Sequence, residues 1–224
     1  MGSNNAPPAR PTHPPVTPIV ALAVWCGVML AWSAVKPAAR VDWLLEIGPG
    51  TVGVVVLLAT WRRFPFSNLV YLLVGLHFLV LAVGAKYTYA GNPLFNWLRD
   101  EFHLSRNHFD RVGHFMQGFV PALLAREIIV RTTALKGGKM LAFVCVCIPL
   151  AISAFYEMLE WWEVALFYPG QGEQWLGTQG DVWDAQWDMF MALIGASLAV
   201  ACLSRAHDGS MGRLARARSN TGAK

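Results

Sequence analysis

Long apolar runs alternate along the chain with short polar breaks, and that alternation dominates every other feature of the sequence. Residues 18–35, 41–61, 67–89, 107–131, 139–164 and 183–204 each hold a mostly apolar stretch. A helix of about 20 such residues crosses a hydrocarbon core about 30 Å thick. The pattern predicts an all-α fold, a polytopic transmembrane helical bundle of about six spans. Segment 41–61, read as a span, carries Gly48-Pro49-Gly50, which leaves a bend or a half-span open there. Residues 1–17 are rich in Pro, Ala and Asn without apolar periodicity and read as a disordered leader. The expected division is thus a leader at 1–17, one membrane domain at 18–204 and a basic tail at 205–224. The first apolar run exceeds the roughly 7–15 residues of a signal-peptide core, so it is expected to be a retained span.

Composition supports this reading. The 224 residues are 55% hydrophobic and 14% charged, against about 25% charged for a soluble domain. Lys and Arg number 18 against 14 Asp and Glu, and the excess gathers in the tail, which suits a cytoplasmic face over anionic lipid rather than nucleic acid. The distribution of Lys and Arg puts both termini in the cytoplasm, because Arg62, Arg63, Arg131, Lys136, Lys139 and the tail then share one side. Cys26, Cys145, Cys147 and Cys202 lie in apolar segments and suggest neither a disulfide framework nor a thiolate metal clasp.

On that topology most ionisable residues fall at the outer end. Asp42 and Glu46, Lys86, His108, Asp110, Arg111 and His114, Glu157, Glu160 and Glu163, and Asp181, Asp184 and Asp188 come from five segments. His114, Glu157 and Asp188 lie at a common depth of about 7–10 Å at a rise of about 1.5 Å per residue. Helical spacing puts Asp110 with His114, Glu157 with Glu160, and Asp181 with Asp184 and Asp188, each set on one face. Imidazole facing carboxylates is a nitrogen and oxygen donor set for a divalent ion such as zinc, manganese or iron. The expected ligands are His114, Glu157, Asp184 and Asp188, with Glu160 as the base for a bound water and Arg111 binding an anionic substrate group. The bland alternative is that these residues cap helices, which fits Asp181 and Asp184 best. His77 reads as an interhelical hydrogen-bonding residue, the Trp residues at 97, 161, 162, 175, 183 and 187 as an interfacial belt, and Arg126 with Glu127 as a surface set.

The runs Tyr87-Thr88-Tyr89, Asn107 to Phe115, Ser153 to Trp162 and Gly177 to Met189 resemble the YjdF-like family of bacterial inner-membrane proteins, over about residues 87–195. The resemblance implies a multi-pass inner-membrane location and supplies no mechanism. The residues themselves favour a metal-dependent enzyme acting on a lipid or envelope substrate at the external face. A cation- or proton-coupled transporter and a non-enzymatic membrane subunit are the alternatives. The charge-free inner halves of the last two segments argue against a continuous polar pathway. Gly and Ala in the last span leave packing within the chain and between chains equally open.

Overall fold

The computed structural model describes residues 16–172 and 176–221. Trp175, most of the leader and the last three residues of the tail lie outside the described residues. Seven helices are described: α1 (Thr17–Ala34), α2 (Arg40–Thr60), α3 (Asn68–Tyr87), α4 (Pro93–Glu101), α5 (Phe109–Thr132), α6 (Gly138–Phe167) and α7 (Asp184–Thr221), with no strand among the described residues. Five of them, α1, α2, α3, α6 and α7, are long and apolar enough to cross a membrane. Helix α5 has 24 residues, also a spanning length, but carries Asp110, Arg111, Arg126, Glu127 and Arg131. Its position explains how it tolerates them: α5 packs against α3, α6 and α7, inside a helical membrane bundle whose other members screen it from lipid.

The close approach of α5 and α7 depends on residues without side-chain bulk. A Cβ on Gly118 would fall 1.9 Å from the Ala192 carbonyl oxygen, and one on Gly195 would fall 2.1 Å from that of Phe115. Ala192, Ala196 and Ala199 are fully buried in this seam. The small residues of the last span are therefore spent on packing within the chain, as expected where helices associate without a hydrophobic driving force between them.

The segment read as the second span forms α2, which runs through Pro49 for 21 residues, so the half-span left open at Gly48-Pro49-Gly50 is not adopted. Two features depart from the sequence reading. Helix α4 occupies a stretch read as loop: Asn92 caps it by accepting from Phe95 N–H at 3.2 Å, and Pro93 opens its first turn. Helix α7 continues well past residue 204 into the basic segment, for 38 residues in all.

That continuation changes the status of Arg126 and Glu127, which are 6% and 0% exposed rather than a surface set. Glu127 accepts from Ser67 N–H and from Arg131 Nη1, both at 2.8 Å, and its second oxygen meets His207 Nε2 at 2.9 Å. Arg126 Nη1 lies 3.3 Å from His207 Nδ1. A guanidinium only donates, so Nδ1 accepts and the proton toward Glu127 sits on Nε2. Ser210 Oγ accepts from Leu69 N–H at 3.2 Å, joining α7 to the start of α3.

Candidate functional site

At the opposite end of the bundle, the first turns of α5 and α7 meet the last turns of α3 and α6. The backbone there is held by side chains. Gln179, at φ 57° in a short 3-10 turn (Thr178–Gly180), accepts from Asn107 N–H at 2.8 Å and donates from Nε2 to Asn107 C=O at 3.0 Å. Asn107 is fully buried and donates to Asn92 C=O at 3.0 Å and Asn96 Oδ1 at 2.8 Å, while accepting from Phe109 N–H at 3.0 Å. Tyr89 stacks on Phe109 with ring centroids 5.6 Å apart. Gly84 and Gly113 make room for it: a Cβ on either would come within 2.7 Å of the Tyr89 ring.

Two arginines organise the aspartates. Arg106 pairs with Asp181 at 2.9 Å and Asp184 at 2.6 Å. Arg111 pairs with Asp181 at 3.0 Å, Asp184 at 2.8 Å and, through Nη1, with Asp188. Thr178 Oγ1 also donates to Asp184. Outside the membrane-spanning helices, the Trp183 N–H beside Asp181, together with Arg106 and Arg111, holds that carboxyl below its ordinary pKa. His108, at the entrance to α5, is pushed below the usual imidazole value by burial and by the same two guanidiniums.

His114 stands at the centre of what remains. Its Nε2 lies 3.5 Å from Asp110 Oδ1 and 3.6 Å from Asp188 Oδ2. Ligand atoms of Asp110, His114 and Asp188 all fall within 4.8 Å of one another. The other ring nitrogen, Nδ1, faces Glu157 Oε1 at 3.9 Å, and both of these atoms are buried without a hydrogen-bond partner. Two guanidiniums thus face four aspartates, Asp110, Asp181, Asp184 and Asp188, with Glu157 and Glu160 nearby. The excess of carboxylates over basic groups calls for protons or a bound cation.

The sequence-expected residues therefore divide. His114, Asp188 and Glu157 converge, with Glu157 on the far side of the imidazole from the aspartates. Asp184 turns to the arginines, and Arg111 is consumed by aspartates. Glu160 lies on the wall of an interior cavity of about 680 Å³ whose head is formed by Asp110, His114 and Asp188. His77, expected to bond a neighbouring helix, lines the same cavity. Sequence reasoning grouped Asp110 with His114 by spacing without making it a ligand. It gave no role to Arg106, Gln179 or Asn107, and the last two act through contacts 72 residues apart.

Fold and site define a multi-pass helical membrane protein with a buried polar centre at one end, and the chain belongs to the family described as "Predicted membrane protein (DUF2238)", matched over residues 18–209. It is 48% identical over 186 residues to the inner membrane protein YjdF of Escherichia coli strain K12, covering 83% of this chain and 88% of that one. The likeness extends well beyond residues 87–195 and takes in α1 and α2. An inner-membrane relative and five apolar helices support a multi-pass inner-membrane location. No solved structure matches the chain.

Proposed function

We propose that the protein is a metal-dependent enzyme of the inner membrane in which Asp110, His114 and Asp188 hold a divalent cation at the head of the interior cavity. One observation carries the reading: a nitrogen and two carboxylate oxygens from two helices lie within 4.8 Å of one another, beside a site with too few basic groups to neutralise it. Zinc, manganese or iron suits such a donor set. Bound there, the ion would supply Lewis acidity and a water of lowered pKa. Glu157 would act on His114 electrostatically: its carboxylate, 3.9 Å from Nδ1, favours the tautomer with its proton on Nδ1, which leaves Nε2 as the ligand atom. Glu160, on the cavity wall, would serve as the base for a water activated there. Arg106 and Arg111 hold Asp184 and Asp188 in place. Both termini face the cytoplasm, as the Lys and Arg distribution favours, and the site opens toward the external face.

Elemental analysis of the purified, detergent-solubilised protein tests this. Stoichiometric metal is expected in the wild type and is lost in His114→Ala and in Asp110→Ala at matched folding. Glu157→Gln should retain the site with affinity lower by about 10- to 100-fold. A wild-type protein that binds none of zinc, manganese or iron on reconstitution ends the proposal.

A further inference from the structure

The cavity has a polar head and a mostly apolar body, in which His77 and Gln117 are the polar side chains along the way. Its head carries Glu46, Asp110, His114 and Asp188, while its far end is lined by Val54, Leu57, Val74 and Leu124. From Asp110 to Leu124 the wall follows α5 for fourteen residues, about 21 Å at about 1.5 Å per residue. That is two-thirds of a hydrocarbon core of about 30 Å. The volume, about 680 Å³, lies within the roughly 300–1,000 Å³ of small-molecule sites.

The cavity is also flanked by helices that leave room between them. Its walls include α2 and α6, yet α2 packs on α1 and α3 while α6 packs on α5 and α7, with no extensive contact between α2 and α6. Pro49, Gly50 and Gly53 face it from α2. At Gly53 an added Cβ would meet nothing within 4 Å, so the wall is open there. A water-soluble metabolite has no use for such an apolar channel at membrane depth.

We infer that the substrate is an acyl lipid of the surrounding bilayer, which enters sideways between α2 and α6, lays a chain along α2, α3 and α5, and brings its headgroup to the Asp110, His114 and Asp188 centre. The headgroup end rests on the metal reading above; the chain end rests on the cavity alone. No Lys or Arg lines the cavity among the described residues, so an anionic headgroup reaches this centre through the bound cation.

The test is photolabelling in proteoliposomes, with a diazirine placed at mid-chain of a phosphatidylglycerol in one arm and of a free fatty acid in the other. Labelled peptides are mapped by mass spectrometry. Adducts are expected on Val74 and Leu124 in the wild type and are lost in Gly53→Trp, which fills the channel, and in the milder Gly53→Leu. Metal content should be unchanged in both variants. Labelling in the phospholipid arm identifies an intact bilayer lipid, and labelling in the fatty-acid arm alone a single-chain one. Wild-type adducts confined to lipid-facing positions such as Leu72 and Phe143 overturn the inference, as does interior labelling that survives both Gly53 substitutions. A wild type without metal that still labels Val74 and Leu124 refutes the metal reading and leaves the lipid site standing.

Discussion

At the scale of single residues, the site is defined by what each carboxylate faces. Asp184 and Asp188 are four residues apart on one face of α7, and sequence spacing makes them equivalent. In the fold Asp184 meets Arg106, Arg111 and Thr178, whereas Asp188 meets Arg111 and His114. Asp181, just before α7, accepts from Trp183 N–H at 3.0 Å and pairs with both arginines. Its folded-state pKa lies below the ordinary value, so its contribution to stability is complete above the ordinary carboxylate range and is lost as pH falls through the folded pKa. Asp181→Asn is therefore expected to melt below the wild type at neutral pH. The gap should close as the solution is acidified past the carboxylate range, which thermal melts in detergent across a pH series will measure. A gap that stays constant with pH would show that the Asp181 charge contributes nothing.

At the scale of elements, two helices depend on small residues and one on a capping signal. The seam between α5 and α7 admits no side chain at Gly118 or Gly195, where backbone carbonyls occupy the space. Gly195→Val forces the helices apart. It is expected to cost at least the 1–3 kcal/mol or so typical of overpacking, and more because the obstacle is backbone. Size-exclusion profiles and thermal melts read this directly. Gly27→Ala is the control, since a Cβ there meets nothing within 4 Å. Helix α4 was legible in Asn92-Pro93, a cap followed by a first-turn proline, but was hidden by a reading that weighted apolar length. Helix α2 is the opposite case: the sequence read it as a span and left a half-span open at its Gly-Pro-Gly, and the helix runs its full length, as proline is tolerated in membrane helices whose freed backbone groups are satisfied locally.

At the scale of the whole molecule, α7 ties both ends of the bundle. Its first turns supply Asp184 and Asp188 to the polar centre, and its second half brings His207 and Ser210 to Glu127 and Leu69. Truncation after residue 204 removes His207 from Glu127 and Asp208 from Arg126. The His207–Glu127 contact is fully buried, and a buried hydrogen bond to a charged group is worth about 1.5–3 kcal/mol, while the largely exposed Asp208 adds little, so a clear fall in melting temperature is expected. Truncation after Ser219, which keeps His207, Asp208 and the buried Leu214, should leave it near that of the wild type. Equal melting of both truncations would make the Glu127 network dispensable.

The helical membrane class and the approximate position of each long helix were legible in the sequence, because a membrane span must bury its backbone in hydrogen bonds and its side chains in lipid, and both demands are written in consecutive residues. So was the collection of ionisable groups at one end, since the rise of a helix converts residue number into depth. Tertiary structure alone decided the partners. Whether Asp110 or Asp184 faces His114, whether Arg111 reaches a cavity or an aspartate, and whether Glu127 meets water or His207 all depend on how helices far apart in sequence are rotated against one another. Apolar length does not encode that rotation. It is set by the close approach of α5 and α7 at Gly118 and Gly195 and by the clamp of Gln179 on Asn107.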